Sequence, residues 1–165
     1  MLTKRIITDI AGTAPYLIRW SLWLPFGLSL KLHQIVRHDD DRCKHDHPWW
    51  FLRIILWGGY EEEFRNSKRN PPGSAHGYNR TALRKPWRPW APWRIYYCGL
   101  DFEHRITRLL AGPSWSLVLC GPRFREWGFF TRQGWMQWRS FVDESRSKRV
   151  LWCDDDRVLN DDAEF

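Results

Sequence analysis

The amino-acid sequence predicts an all-β fold, a barrel or sandwich assembled from seven or eight short strands. Three observations lead to it. Apolar and polar residues alternate in several separate stretches, Gly and Pro punctuate many of the gaps, and no helical period of useful length follows residue 24. Thirteen Trp, nine Phe and five Tyr supply large side chains of the kind that fill a closed sheet and wall any cavity it leaves.

Taken in order, Ala14, Leu17, Ile18 and Leu22 fall at helical spacing, Pro15 suits a first turn and Pro25 stops the run. A short helix is therefore expected over residues 14–24, its apolar face widened by Trp20, Trp23 and Leu24. Residues 28–36 turn to alternation, with Leu28, Leu30, Leu32 and Val36 on one parity, and read as a strand. A polar turn at Asp39 to Asp41 leads to a histidine-bearing segment, and residues 49–57 form a heavily apolar strand closed by Gly58 and Gly59. Residues 60–65 continue as a strand. Residues 66–92 hold five of the ten prolines and are expected to be mostly loop, with Trp87, Trp90 and Trp93 spaced three apart as in a polyproline-like crossing. Strand character returns at residues 95–98, 105–110, 114–120 and 129–141.

A chain of 165 residues is expected to make one domain. Its charge is uneven: residues 154–165 carry six acidic residues and one Arg, a net of −5, which leaves residues 1–153 at +12 against +7 for the whole chain. The division expected is a barrel with its N-terminal helix and strand over 1–153 and an acidic, mobile tail over 154–165. A basic body can attract nucleic acid or a small anion. Here the Lys and Arg are spread along the chain with no recognisable nucleic-acid motif, so an acidic small molecule is the expected partner. A homodimer is left open. The most apolar early stretch, residues 16–32, is interrupted by Arg19, Pro25, Gly27 and Lys31 and is too short to span a bilayer. Cys43, Cys98, Cys120 and Cys153 show no C-x-x-C spacing and accompany no secretory signal, a pattern that suits a reducing cytoplasm.

The most chemically informative residues are His45, Asp46 and His47, followed by Pro48, Trp49 and Trp50. On a strand, residues two apart share a face, so His45 and His47 present two imidazoles side by side. Imidazole is the commonest protein ligand for zinc, iron, copper and nickel. His104 opens a later strand-like segment and is the natural third ligand. Solvated or core histidines are the plain alternative.

This segment resembles the first signature of the cupin superfamily, G-x5-H-x-H-x3,4-E-x6-G. His45 and His47 supply the H-x-H and Gly58 or Gly59 the closing glycine, while Asp39 replaces the opening glycine and Phe51 or Leu52 stands where the glutamate belongs. The second cupin signature is matched loosely, with His104 as its histidine and Gly99, Asp101 and Arg108 in place of its Pro, Gly and Asn. Together with Gly58-Gly59-Tyr60, Trp115-Ser116-Leu117, Gly121-Pro122 and Trp127-Gly128-Phe129, the chain resembles uncharacterised cupin-like proteins of bacteria and bacteriophages over most of residues 28–141. The resemblance implies a double-stranded β-helix, the cupin jelly roll.

It also implies a divalent metal held by His45, His47 and His104, with Fe(II) first and Zn, Mn or Ni as alternatives. Without the glutamate the site is more Lewis-acidic and resembles that of thiol dioxygenases; a zinc site that activates water is the other physical option. Glu62 is a candidate fourth ligand, with Glu61 and Glu63 then facing away. Cys43 shares the parity of the two histidines and is a weaker candidate. His33 would serve behind the ligands or simply pack in the core. Arg53, Arg94 and Arg105 are candidates for an acidic substrate, because guanidinium forks match carboxylate and phosphate. Trp49, Tyr60, Trp115 and Trp127 are candidates for pocket walls. The function expected is a metal-dependent cupin enzyme acting on an acidic small molecule, a three-His Fe(II) oxygenase. The alternative is a non-catalytic cupin that binds or sequesters an anionic, nucleotide-like molecule. No residue is assigned as catalytic.

Overall fold

In a computed structural model of the protein, residues 1–9, 12–39, 43–66, 80–91, 94–146 and 153 are described. Their strands are β1 (Leu2–Thr8), β2 (Pro15–Trp23), β3 (Ser29–Ile35), β4 (Phe51–Trp57), β5 (Tyr60–Asn66), β6 (Arg80–Arg84), β7 (Ile95–Cys98), β8 (Phe102–Leu109), β9 (Ser114–Cys120), β10 (Gly128–Thr131) and β11 (Gly134–Gln137), followed by the helix α1 (Trp138–Arg146). One antiparallel sheet has the order β1-β2-β3-β9-β4-β7, and a second the order β6-β5-β8. The β10-β11 hairpin is joined to β8 through residue 45, which bridges both His104 and Phe129. The histidine segment thus fills the gap between β8 and β10, and the expected cupin jelly roll is the fold observed.

Each sheet buries one parity. In the six-stranded sheet, Leu17, Ile35 and Ser114 share one row, Arg19, His33, Ser116 and Ile55 the next, and Lys31, Val118 and Arg53 a third, all on the inner face. In the second sheet Tyr60, Glu62 and Phe64 point inward from β5, opposite Leu109, Ile106 and His104 of β8. Two apolar clusters join the layers: Tyr16, Ile35, Ile55, Tyr60 and Ile106 at one end, and Phe51, Cys98, Phe102, Val118 and Cys120 nearer the histidines. The chain passes from β4 in one sheet to β5 in the other through Gly58 and Gly59, at φ of 76° and 86°. Both positions are left-handed, and a Cβ at either would lie 2.6 Å from a backbone oxygen.

The structure corrects three expectations. The helix expected over residues 14–24 is strand β2, paired on both sides with β1 and β3. Its apolar residues satisfy both periods, and the aromatic residues Tyr16, Trp20 and Trp23 suit the pleated surface. Conversely, the strand expected over 129–141 is a short hairpin followed by α1. After Gln137 the chain turns so that Trp138 and Phe141, three apart on the helix, stack on Trp127 and Phe129. The Gln137 carboxamide oxygen accepts from the backbone amides of Arg139 and Ser140 and so caps that helix. Third, the four cysteines are not all thiols: Cys43 and Cys153 form a disulfide, while Cys98 and Cys120 are free and buried.

Strands β1 and β6 were not anticipated; β6 is an edge strand inside the proline-rich stretch, in a run that itself contains no proline. Among the described residues no helix is long and apolar enough to cross a membrane. The expected tail at 154–165 lies outside the described residues.

Candidate metal centre

Backbone pairing assembles the histidines. The amide of His45 donates to the His104 carbonyl and the amide of His104 returns to the His45 carbonyl, both at 3.0 Å. Such directly opposed residues place their side chains on one face. One strand residue further along that parity brings in His47. The three rings lie with centroids 4.7 to 5.1 Å apart, and one nitrogen from each falls within 4.8 Å of the others. Nε2 of His47 is 2.8 Å from Nε2 of His104. Two imidazole nitrogens at right angles on a first-row metal stand about 3 Å apart. The donor set therefore fits a divalent metal.

Asp46 explains why an acid separates the two histidines. Its side chain points the opposite way and accepts from the Gly128 amide at 2.8 Å, Arg125 at 2.9 Å and the Trp135 indole at 3.2 Å. This ties the histidine segment to the β10-β11 hairpin. Burial raises the Asp46 pKa, and these hydrogen bonds with the Arg125 charge oppose the shift.

Glu62 stands behind the cluster and does not point into it. Its Oε1 lies 2.6 Å from Nδ1 of His104, and its carboxylate is gripped by Arg53 and by Nε of Arg84 at 2.6 Å. Accepting the Nδ1 proton leaves Nε2 of His104 facing His47 with its lone pair. Burial opposes ionisation of Glu62, but Arg53 and His104 outweigh it and hold the carboxyl well below its ordinary range. His47 is likewise held well below the usual imidazole value, by burial first and then by His104, His45, Arg53 and Lys31. A neutral imidazole is the form that ligates.

The other candidate residues divide by position. Arg53 is buried, committed to Glu62, and boxed by the rings of Phe51, Tyr60, Tyr96 and Phe102. Tyr60 is buried in the core beyond it. Arg105 lies on the outer face and pairs with Glu63, as Arg108 does with Glu61. Arg94 donates to the Pro86 carbonyl at 2.7 Å. Trp115 stacks on Trp20 on the outward parity of β9. Trp127, by contrast, meets the His45 ring edge-on at 6.1 Å, so it does border the cluster. Phe51, where the motif has its glutamate, packs edge-on against His47 at 4.9 Å. Cys43 is bound to Cys153 and offers no thiolate to the cluster.

Sequence reasoning missed Lys31. Its side chain is 3 % exposed, its ammonium lies 3.5 Å from the centre of the Trp49 ring, and Trp49 follows His47 by two residues. The signal was present in the parity Ser29, Lys31, His33, Ile35, which the more apolar Leu parity of the same strand obscured.

Neither a protein-family model nor a curated protein matches the sequence. Several solved structures resemble it. A cupin-2 domain protein from Rhodospirillum rubrum superposes with a TM-score of 0.55 at 10 % identity, over 81 % of this chain and 78 % of that one. CapF with the inhibitor 3-isopropenyl-tropolone gives 0.51 at 9 % identity, over 78 % of this chain and 34 % of that one. Hydroxypropylphosphonic acid epoxidase from S. wedmorenis gives 0.48 at 12 % identity, over 71 % of this chain and 55 % of that one. The chain thus spans about half the length of the epoxidase. At these identities the likeness is one of fold.

Proposed function

We propose that the protein is a metal-dependent cupin enzyme that acts on an acidic small molecule, a three-His Fe(II) oxygenase. The observation that carries this reading is the convergence of His45, His47 and His104 with Glu62 bracing the last of them. Ferrous iron in such a site would supply oxygen activation and open coordination positions. The chain's own residues supply the rest. His45, His47 and His104 would hold the ion, with Glu62 keeping the Nδ1 proton of His104 and thereby its orientation. Phe51 and Trp127 would keep water from the two sides of the cluster they cover. Asp46, through Gly128, Arg125 and Trp135, would keep His45 and His47 in register.

Protein purified and then loaded anaerobically with Fe(II), Zn, Mn or Ni should retain close to one equivalent by elemental analysis. Replacing His45 and His47 together by Ala should abolish retention, and oxygen consumption by the iron form should require an acidic co-substrate. Failure to retain any of the four metals would overturn this reading. The basic inner face of β2 and β3 favours a second one, a non-catalytic binder of an anionic molecule, for which ligand binding should survive the double His substitution.

A further inference from the structure

Basic side chains gather on the inner face of the six-stranded sheet in a way that the metal cluster does not use. Arg5 of β1 stands directly opposite Arg19 of β2, and Arg19 directly opposite His33 of β3. Lys31 lies on the same face, two residues from His33 and opposite Ser21. Among the described residues, none of these four forms an ion pair with a carboxylate. Glu62 is taken by Arg53 and Arg84, Asp46 by Arg125, Glu63 by Arg105 and Glu103 by Arg65. The Lys31 ammonium rests on the Trp49 ring and hydrogen-bonds to the Cys120 thiol. Nε2 of His33 is buried without a hydrogen-bond partner.

This arrangement is costly in the protein alone. Like charges directly opposed across strands are destabilising, and a buried ammonium without an anion carries most of its desolvation penalty. Burial and the neighbouring Arg19 accordingly lower the Lys31 pKa to about 8. Arrangements of this kind persist where an anion repays them. The row adjoins the metal cluster, since Trp49 follows His47 by two residues and Lys31 acts electrostatically on His47.

We propose that Lys31, with Arg19 beside it and Arg5 at the rim, forms a subsite for a phosphoryl dianion next to the three-histidine cluster. More than one unmatched positive charge calls for more than one negative charge, which a monocarboxylate does not bring. The terminal oxygens of a phosphoryl group also match several donors at once, and the buried hydroxyls of Ser21 and Ser116 lie on the same face. The assignment deepens the enzyme reading by naming the class of its substrate, a small phosphorylated molecule; the anion site itself stands without that reading.

The test uses inorganic phosphate and the full chain, by calorimetry and thermal melting, with ionic strength held constant and acetate as the monoanion control. Phosphate should bind and raise the melting temperature, with acetate far weaker. Lys31→Met should bind phosphate at least about tenfold more weakly, yet melt at or above the wild-type temperature without phosphate, because it removes an uncompensated buried charge. A merely structural lysine would give the reverse. Arg19→Gln, nearer the rim, should weaken phosphate in the same direction and serves if Lys31→Met does not fold. No response of the wild type to phosphate, or unchanged affinity in both variants, would overturn the proposal. Elemental analysis of the same preparations reports separately on the metal reading.

Discussion

At the scale of single residues, Glu62 carries more than one duty. It orients His104 and neutralises Arg53, which is buried between aromatic rings. Glu62→Gln should therefore cost about 3–5 kcal/mol in urea unfolding, since it strands a buried guanidinium. The same change should weaken metal retention about 10- to 100-fold, measured by competition with a chelator. A second residue-scale prediction concerns pH. Burial, then Arg19 and Lys31, lower the His33 pKa from 6.5 to about 3. The unfolded chain thus takes up a proton near pH 6.5 that the folded chain refuses until near pH 3. The stability associated with neutral His33 is present above pH 6.5 and is lost progressively as pH falls toward 3. Urea midpoints measured across that window should fall less steeply for His33→Gln than for the wild type; parallel curves would contradict the assignment.

At the scale of elements, the histidine segment works as a strand although, among the described residues, its bridges fall at residue 45 alone. Its position depends on the β10-β11 hairpin, where Gly128 both donates to Asp46 and accepts from the Asp46 amide. A Cβ at Gly128 would fall 2.1 Å from the Met136 carbonyl oxygen. Gly128→Ala should separate the hairpin strands, lower the melting temperature and loosen the metal cluster together, whereas Gly134→Ala at the open hairpin turn should cost backbone strain alone. Metal retention and melting of the two variants, measured side by side, check this. The resemblance to Trp127-Gly128-Phe129 in cupin-like sequences made this glycine visible; the reason it must be glycine needed the opposing strand. The same holds for β2. Its spacing fits a helix or a strand, and only pairing with β1 and β3 decides between them.

For the molecule as a whole, the Cys43–Cys153 disulfide closes a span of 110 residues around the barrel. A loop of that order restricts the unfolded chain by about 4–5 kcal/mol in the chain-entropy model. Reduction, or Cys153→Ser, should lower unfolding stability by about 2–5 kcal/mol, with a smaller loss of metal affinity because Cys43 precedes His45 by two residues. Unfolding with and without reductant measures the first, chelator competition the second; no change in either would mean that the bond does not form in solution.

The sequence by itself determined a good deal. Alternation and Gly or Pro punctuation located β3, β4, β5, β7 and β9 closely, because a half-buried strand imposes its period locally. The H-x-H spacing and His104 named the three side chains that converge. What the chain could not reveal locally was direction: which parity of β3 faces inward, and which partner each charge meets. The leucines Leu30 and Leu32 lie on the outward parity while Lys31 and His33 line the interior. Glu62 meets Arg84 because β5 pairs with β6, Arg53 joins them only because two sheets face each other, and Cys153 finds Cys43 across the whole barrel. These outcomes depend on which strands lie side by side, a long-range choice that a local residue pattern does not encode, and tertiary structure decided them.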